Sequence, residues 1–186
     1  MQTRWLRAEG PRLTAPRWAR VLEWDRACAL NLNRALAAPY ERLWLAVDRL
    51  GGFWSWAAVM VAIAYFGGAL GRYCALHMLI AGGCALACYK LIKNSACRAR
   101  PCVIVNGVRR CAEPLDKWSF PSGHVLHAAA FSTIASAYYP GLAVVLLPFL
   151  VLSGISRIAL GLHYPSDVLA GAAIGAAIAA ASLALI

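Results

Sequence analysis

Long stretches without charge constrain this chain more than any other feature. Residues 118–156 contain no Asp, Glu, Lys or Arg, and this run is too long for a single helix across a bilayer. The segment Tyr138-Tyr139-Pro140-Gly141 divides it into two candidate spans. Further apolar segments, each close to the roughly 20 residues that a transmembrane helix needs, are 50–71, 73–92 and 168–186. The sequence therefore predicts an all-α fold, a polytopic transmembrane helix bundle with about five spanning helices.

The composition supports a membrane location and argues against a nucleic-acid partner. Apolar residues make up 61% of the chain and charged residues 14%, against about 45–50% and about 25% in soluble domains. The net charge is +10, but half of the basic residues lie in the first 49 positions, and no nucleic-acid recognition motif is present. A basic rim on an apolar body suits anionic membrane lipids or a phosphorylated substrate.

Upstream of the predicted bundle, the chain is basic and only partly apolar. Residues 1–20 combine arginines with Pro11 and Pro16, which indicates a loose arm, and we expect no cleaved signal because no signal-type apolar stretch follows. Apolar residues recur at helical spacing from Pro39 to Leu50. That pattern predicts either an interfacial amphipathic helix or a helix packed on the protein's own surface. We therefore divide the chain into a basic N-terminal region, 1–52, and a membrane core, 53–186.

Three clusters of polar residues interrupt the apolar pattern. If the helices alternate across the membrane, the clusters emerge on the same side, and ionisable groups at such a boundary are functional candidates. The clusters are Lys93 with Arg100-Pro101, then Pro121-Ser122-Gly123-His124, then Ser156-Arg157 with His163 and Asp167.

The residue types in these clusters suit an anionic ligand. Ser122 is a favourable N-cap, and the first turn of a helix has unpaired N–H groups that attract anions. Gly123 lets an anion approach the backbone closely. Arginine and lysine side chains supply hydrogen bonds and charge to phosphate oxygens. The Asp167 carboxylate could hold one imidazole nitrogen of His163 and leave the other free to attack.

The spacing of the clusters resembles the signature of the type 2 phosphatidic acid phosphatase (PAP2) superfamily at every position between residues 93 and 167. The resemblance implies a bacterial membrane phosphatase that needs no metal and no cofactor. It implies that His163 is the nucleophile and forms a phosphohistidine, and that Asp167 orients it. It also implies that His124 protonates the leaving group and then activates water. The residues that it assigns to the phosphoryl oxygens are Lys93, Arg100, Ser122, Gly123 and Arg157.

The sequence favours a lipid phosphate or diphosphate as substrate. Undecaprenyl diphosphate is our leading expectation, followed by phosphatidylglycerophosphate, phosphatidate and lipid A phosphates. Transfer of the phosphoryl group to a lipid or sugar acceptor is an alternative reaction. A lipid-binding or transport protein with a vestigial site is an alternative from a different class, and the intact set of polar residues argues against it.

Two cysteines flank a turn signal in the polar loop. Asn106-Gly107 between β-branched residues is typical of a β-hairpin, in which Cys102 would face Cys111 in a non-hydrogen-bonded pair. We predict a small hairpin and hypothesise a disulfide between these cysteines, with two reduced thiols as the alternative. A disulfide would place the active site in an oxidising compartment, on the periplasmic face of a bacterial inner membrane, where bacterial relatives commonly work. The arginine-rich N-terminus favours the opposite orientation.

The other polar residues near the membrane receive structural interpretations. We expect His77 to be structural and His127 to be a packed core residue rather than part of a lipid entrance. The basic residues that we interpret as flanking groups with their charges at the membrane surface are Lys90, Arg98, Arg109 and Arg110.

Overall fold

The computed structural model describes residues 17–114 and 116–186, so most of the predicted arginine-rich arm lies outside it. The all-α prediction is confirmed, since no strand occurs within those two ranges. The helices are α1 (Arg17–Leu50), α2 (Phe53–Phe66), α3 (Gly68–Ala96), α4 (Pro101–Ile104), α5 (Gly123–Tyr138), α6 (Ala143–Ala159) and α7 (Pro165–Leu183), with a 3-10 turn over Pro140–Leu142 before α6.

Helix α5 forms the centre of the bundle and contacts α3, α6 and α7. Its alanines let the neighbouring helices approach closely, and Gly171 and Gly175 do the same from α7. A Cβ atom added at Gly175 would lie 2.1 Å from the backbone oxygen of Leu126. The side chains of Met78 and Ile134 fill the core beside this contact and are fully buried. Small residues at the helix contacts thus bring the N-termini of α5 and α7 together.

Helices form at all five predicted spans, but fewer are long and apolar enough to cross a membrane alone. In the described part of the chain, three segments meet that standard: Gly68–Ile104, Pro140–Ala159 and Pro165–Leu183. The pair Arg20–Leu50 and Phe53–Phe66, bent by 52°, would make a fourth if it forms one broken span. Helices α2 and α5 are shorter, with 14 and 16 residues. The count from length and composition is therefore three to four rather than five.

Helix α1 is longer than the predicted amphipathic segment and packs against α6. It is helical before Pro39 as well, with a break in helical geometry at Tyr40. Trp44 is buried against α6, while Leu43 and Leu50 on the other side are more than half exposed. The amphipathic pattern therefore serves packing on the protein's own surface and leaves an exposed apolar edge.

The hairpin prediction is wrong. The Asn106-Gly107 turn forms, with Gly107 at a φ of +89°, but Cys102 lies in the short helix α4 rather than in a strand. The N–H groups of Cys102 and Cys111 donate to the carbonyl oxygens of Gly161 and Leu160, at 3.1 and 3.2 Å, and not to each other's segment. Pro101 favours a helical first turn at this point, which competes with an extended strand. Both thiols are free, so the pairing inferred from the hairpin is not formed.

Candidate active site

The three polar clusters converge on one cavity of about 420 Å³ at one end of the bundle. The predicted site residues that line it are Lys93, Arg100, Gly123, His124, Arg157 and His163. Ser122 and Asp167 are fully buried beside it. A hydrogen bond of 3.0 Å from the Ser122 N–H to the Asp167 carbonyl oxygen joins the N-termini of α5 and α7. The structure thus brings together residues that are up to 74 positions apart between Lys93 and Asp167.

Local backbone geometry explains how the loop after α3 reaches the cavity. Lys93 lies in the last turn of α3, which ends at Cys97 in the left-handed conformation, with a φ of +44°. The chain then extends, and Arg100 precedes the Pro101 that opens α4. Ser119 donates its N–H to the carbonyl oxygen of Arg98 at 2.7 Å and ties the far end of the loop to this segment. Arg100 is therefore held over the ends of α5 and α7.

The imidazole of His163 is buried with one nitrogen facing the cationic side of the cavity. Its Nε2 lies 3.2 Å from Nη1 of Arg100, and a guanidinium can only donate hydrogen bonds, so Nε2 is the acceptor. Burial, reinforced by the charges of Arg157 and Arg100, holds the pKa of His163 well below its ordinary value of 6.5. The ring is therefore neutral at pH 7, with its proton on Nδ1 and its lone pair directed at the cations.

Asp167 lies behind His163 but is not hydrogen-bonded to it. Its Oδ2 is 3.6 Å from Nδ1 of His163, beyond ordinary hydrogen-bond length. That oxygen instead accepts the backbone N–H of Tyr164 at 2.9 Å. Within the described residues, Nδ1 of His163 has no hydrogen-bond partner. The two residues of the predicted orienting pair are thus adjacent but not hydrogen-bonded to each other.

Asp116, which the sequence analysis missed, bridges two of the predicted cations. Its carboxylate lies 2.8 Å from Nζ of Lys93 and 2.8 Å from Nη2 of Arg100, and it also accepts the hydroxyl of Tyr89. Burial alone would raise the pKa of Asp116, but the hydrogen bonds from Lys93 and Tyr89 hold it below its usual range. The available signal was an acidic residue in a predominantly basic loop, which Asp116 shares with Glu113.

Asp48 of α1 is a second acidic residue that the sequence analysis missed. Its carboxylate pairs with the guanidinium of Arg157, which is almost fully buried. The same carboxylate oxygen lies 3.9 Å from Nε2 of His124, beyond ordinary hydrogen-bond length. The apolar periodicity of α1 drew attention to its packing face and gave no indication that Asp48 pairs with Arg157, which lines the cavity.

The interpretation of Arg98 as a flanking surface residue is wrong. Its guanidinium donates from Nη1 to Oδ1 of Asp167 at 2.6 Å and from Nη2 to Oδ2 of Asp25 at 2.5 Å. Asp25 and Asp167 are both buried, and such carboxylates need a charge partner. Arg109 and Arg110, by contrast, remain on the surface, where each pairs with an exposed acidic residue.

An apolar arm extends from the polar end of the cavity between α2 and α3. A Cβ added at Gly82 would lie 2.9 Å from the ring of Phe131, whereas one at Gly83 would meet nothing within 4 Å. The residues that form this arm are Trp56, Met60, Leu79, Gly82, Gly83, Leu86 and Phe131. The cavity is therefore amphipathic, with cations at one end and hydrocarbon at the other.

The two remaining histidines differ from each other. His127 lines the cavity and hydrogen-bonds through Nδ1 to the Gly123 carbonyl oxygen at 2.9 Å, so its interpretation as a packed core residue is wrong. His77 contacts Tyr138 at 3.2 Å and Ser182 at 2.8 Å, near the C-terminal ends of α5 and α7. These contacts join three helices at the end of the bundle away from the cavity, as expected for a structural residue.

The acidic, histidine and cysteine side chains are not arranged as a metal site. Within residues 17–114 and 116–186, no group of three or more such side chains is placed to hold an ion. Asp116 and Asp48 instead each neutralise cations of the cavity.

The protein is thus a helical membrane bundle whose cavity joins a cationic end to an apolar arm, an arrangement suited to an anionic amphiphile. The chain belongs to the PAP2 superfamily, whose family model matches residues 72–186. Residues 17–71, including Asp25 and Asp48, lie outside the matched region.

Solved structures of membrane phosphatases share the fold. The chain is similar to a transmembrane PAP2 type phosphatidylglycerolphosphate phosphatase from Bacillus subtilis, with a TM-score of 0.74 and 24% identity over 89% of this chain and 86% of that one. It is also similar to LpxE from Aquifex aeolicus, with a TM-score of 0.75 and 24% identity over 88% of this chain and 94% of that one. At these identities the likeness establishes the fold.

Two characterised proteins have higher sequence identity to this chain, over shorter stretches. Lipid A 1-phosphatase from Rhizobium johnstonii is 41% identical over 58 residues, 31% of this chain and 24% of that protein. Decaprenylphosphoryl-5-phosphoribose phosphatase from Mycobacterium tuberculosis is 40% identical over 114 residues, 55% of this chain and 57% of that protein. The chain therefore spans less than two thirds of the length of either relative.

Proposed function

We propose that the protein is a membrane lipid phosphatase in which Nε2 of His163 attacks the phosphorus atom. The observation that carries this proposal is the hydrogen bond from Arg100 to Nε2, which directs the lone pair of a neutral imidazole at a cationic cavity. As the Nε2–P bond forms, the P–O bond to the lipid breaks. In this scheme His124 carries a proton once the anionic substrate is bound and gives it to the departing oxygen.

Water completes the reaction. Neutral His124 then takes a proton from a water molecule as the water oxygen bonds to phosphorus and the N–P bond breaks. Inorganic phosphate leaves and His163 returns to its neutral form. The catalytic residues in this scheme are His163 and His124, with Asp167 positioning His163.

The phosphoryl oxygens are held by charge and by the start of α5. Lys93, Arg100 and Arg157 supply three cations, and phosphoryl transfer depends chiefly on such positioning and charge stabilisation. Ser122 is the N-cap of α5, and within the described residues its buried hydroxyl has no hydrogen-bond partner. Gly123 lines the cavity, so the first turn of α5 contributes unpaired N–H groups. These contacts take the place of a metal ion, so we propose that hydrolysis needs neither metal nor cofactor.

The apolar arm supports a lipid substrate. Its walls between α2 and α3 suit one hydrocarbon chain attached to the phosphate. One of the relatives acts on a decaprenyl-linked substrate, as its name states, and a single polyprenyl chain matches a single arm. We therefore favour undecaprenyl diphosphate, with phosphatidylglycerophosphate, phosphatidate and lipid A phosphates as alternatives.

The experiment that tests this function measures phosphate release by the purified protein in detergent. The panel contains lipid monophosphates and diphosphates, with EDTA and with or without an acceptor alcohol. We expect release from a polyprenyl diphosphate in the presence of EDTA, and a loss of about 1,000-fold or more in His163→Ala, as when a nucleophile is removed. His77→Asn, at the far end of the bundle, is the matched control. Release by His163→Ala near the wild-type rate contradicts the proposal.

We place this multi-pass protein in a bacterial inner membrane with the cavity facing the periplasm, as its family resemblance suggests. Helix α1, whose basic residues would favour a cytoplasmic side, contributes Asp48 at the same end. Cys97 is exposed at the cavity end of α3 and provides a probe. In a variant that keeps Cys97 alone, a membrane-impermeant maleimide applied to spheroplasts should label it. Labelling only after lysis would contradict the periplasmic placement.

A further inference from the structure

A chain of buried charges runs behind the cavity from α1 to α7. Asp25 accepts from Arg98 at 2.5 Å, and Arg98 donates to Asp167 at 2.6 Å. Asp25 is 1% exposed and Asp167 is fully buried, whereas the Arg98 side chain is 20% exposed. The cavity wall is formed by other residues. These ion pairs therefore link α1 to His163 through Asp167, on the side of His163 that faces away from the cavity.

Each group in this chain is fixed by further contacts. The guanidinium of Arg98 lies over the ring of Tyr164, with Cζ 3.9 Å from the ring centroid. The Ser166 N–H donates to Oδ1 of Asp25 at 3.0 Å, and its hydroxyl donates to Oδ2. Arg98 thus uses two N–H groups on two carboxylates with little freedom to reorient.

The position of the proton on His163 explains why the contact between Arg98 and Asp167 matters for catalysis. Because Nε2 accepts from Arg100, the proton of the neutral ring is on Nδ1 and faces Oδ2 of Asp167 at 3.6 Å. When phosphorus bonds to Nε2, the imidazole gains positive charge and Nδ1–H becomes a stronger donor. Asp167 must then be ionised and correctly turned to accept it. Arg98 on Oδ1 favours the ionised form and fixes the carboxylate plane.

We propose that Arg98 is a positioning residue for the His163–Asp167 pair and that Asp25 holds Arg98 in place. Helix α1, which the family match does not cover, thereby supports the nucleophile. This inference rests on the proposed phosphatase function and extends it to residues outside the signature.

If Arg98 only held α1 against α7, its replacement would have a different outcome. Its loss would lower the amount of folded protein without a selective effect on turnover. A positioning role instead lowers kcat and leaves substrate binding intact, because Arg98 does not line the cavity. The KM for the lipid substrate and the inhibition constant of inorganic phosphate are the readouts that separate the two.

The experiment compares Arg98→Gln, Arg98→Lys and Asp25→Asn, with Arg110→Gln as a control that removes an exposed guanidinium from the same loop. For Arg98→Gln we expect kcat to fall about 10- to 100-fold, as when a partner behind a reacting group is lost. KM and the phosphate inhibition constant should stay within about twofold. Arg98→Lys should recover part of kcat, because lysine restores the positive charge but not the paired N–H donors of the guanidinium. Asp25→Asn should show a smaller loss of kcat in the same direction.

A wild-type kcat in folded Arg98→Gln overturns the inference, and so does a parallel rise in KM and the phosphate inhibition constant. If Arg98→Gln does not fold, Asp25→Asn decides, and a wild-type kcat there also overturns it. Failure of the wild-type protein to hydrolyse any lipid phosphate is a separate result that rejects the phosphatase proposal. In that case the nitrogen-15 NMR signal of His163 Nδ1, which faces Asp167 at 3.6 Å, reports the positioning effect directly: Arg98→Gln should shift this signal, and an unchanged signal rejects the role.

Discussion

The carboxylate of Asp116 lies 2.8 Å from the Nζ atom of Lys93 and occupies the face of that lysine that borders the cavity. The same carboxylate reaches Arg100. An anion bound between these cations would meet Asp116 as a competitor for the same donors. Asp116 therefore offsets part of the positive charge of the cavity, and a phosphate would compete with it for Lys93 and Arg100.

Asp116→Asn should strengthen the binding of simple anions. The substitution removes a negative charge that competes for Lys93 and Arg100, and a half-buried ion pair of this kind contributes about 1 kcal/mol. We expect the inhibition constant of inorganic phosphate or orthovanadate to fall about three- to tenfold. Glu113→Gln removes an exposed acid from the same loop and serves as control. Unchanged or weaker anion binding would show that Asp116 does not compete.

The buried imidazole of His163 should make the folded state sensitive to acid. Its pKa in the folded protein lies well below 6.5 because of burial and of the charges of Arg157 and Arg100. Below pH 6.5 the unfolded chain binds a proton here that the folded chain does not, so stability falls as pH falls. The melting temperature in detergent should drop more from pH 7 to pH 5 for the wild type than for His163→Gln. Equal drops would contradict the burial of a neutral imidazole.

Gly83→Leu should close the apolar arm to long chains. The position has open space, so the new side chain fills the arm without a clash in the fold. We expect hydrolysis of a polyprenyl phosphate to fall about tenfold or more, while hydrolysis of water-soluble p-nitrophenyl phosphate stays near the wild-type level. Gly141→Leu, at another glycine with open space but outside the cavity, is the matched control. Equal losses for both substrates would exclude a chain-binding arm.

Reductant should have no effect on the protein. Cys102 and Cys111 are free thiols, and their backbone N–H groups are bound to the turn before α7 rather than across a ladder. Activity and melting temperature should be the same with and without dithiothreitol, and denaturation should release both thiols for titration. A reductant-sensitive melting temperature that disappears in Cys102→Ser would contradict the free state.

The sequence was sufficient for the helices and for the signature residues that meet at the cavity. Long uncharged runs are a direct indication of helices in lipid. The spacing of the signature identified Lys93, His124 and His163, which the structure brings to one cavity. Periodicity says which face of a helix is apolar, but it does not say what that face meets. The role of Asp48 therefore emerged only from tertiary structure.

The errors had a common physical origin in local reasoning about the polar loop. Asn106-Gly107 does form a turn, yet the neighbouring N–H groups find acceptors in a distant segment, which a local hairpin signal cannot reveal. Arg98 resembled a surface arginine because its partners, Asp25 and Asp167, are 73 and 69 residues away. Long-range ion pairs between buried groups leave no periodic trace in a sequence.

Helix α1 carries two carboxylates, Asp25 and Asp48. They pair with the guanidinium groups of Arg98 and Arg157, which belong to the region that the family model matches. A fragment trimmed to residues 72–186 would keep every signature residue, but Arg157 would lose Asp48 and Arg98 would keep only one of its two carboxylate partners, Asp167. We therefore expect the folded unit to extend beyond the region that the family model matches, so a chimera or minimal version should include α1.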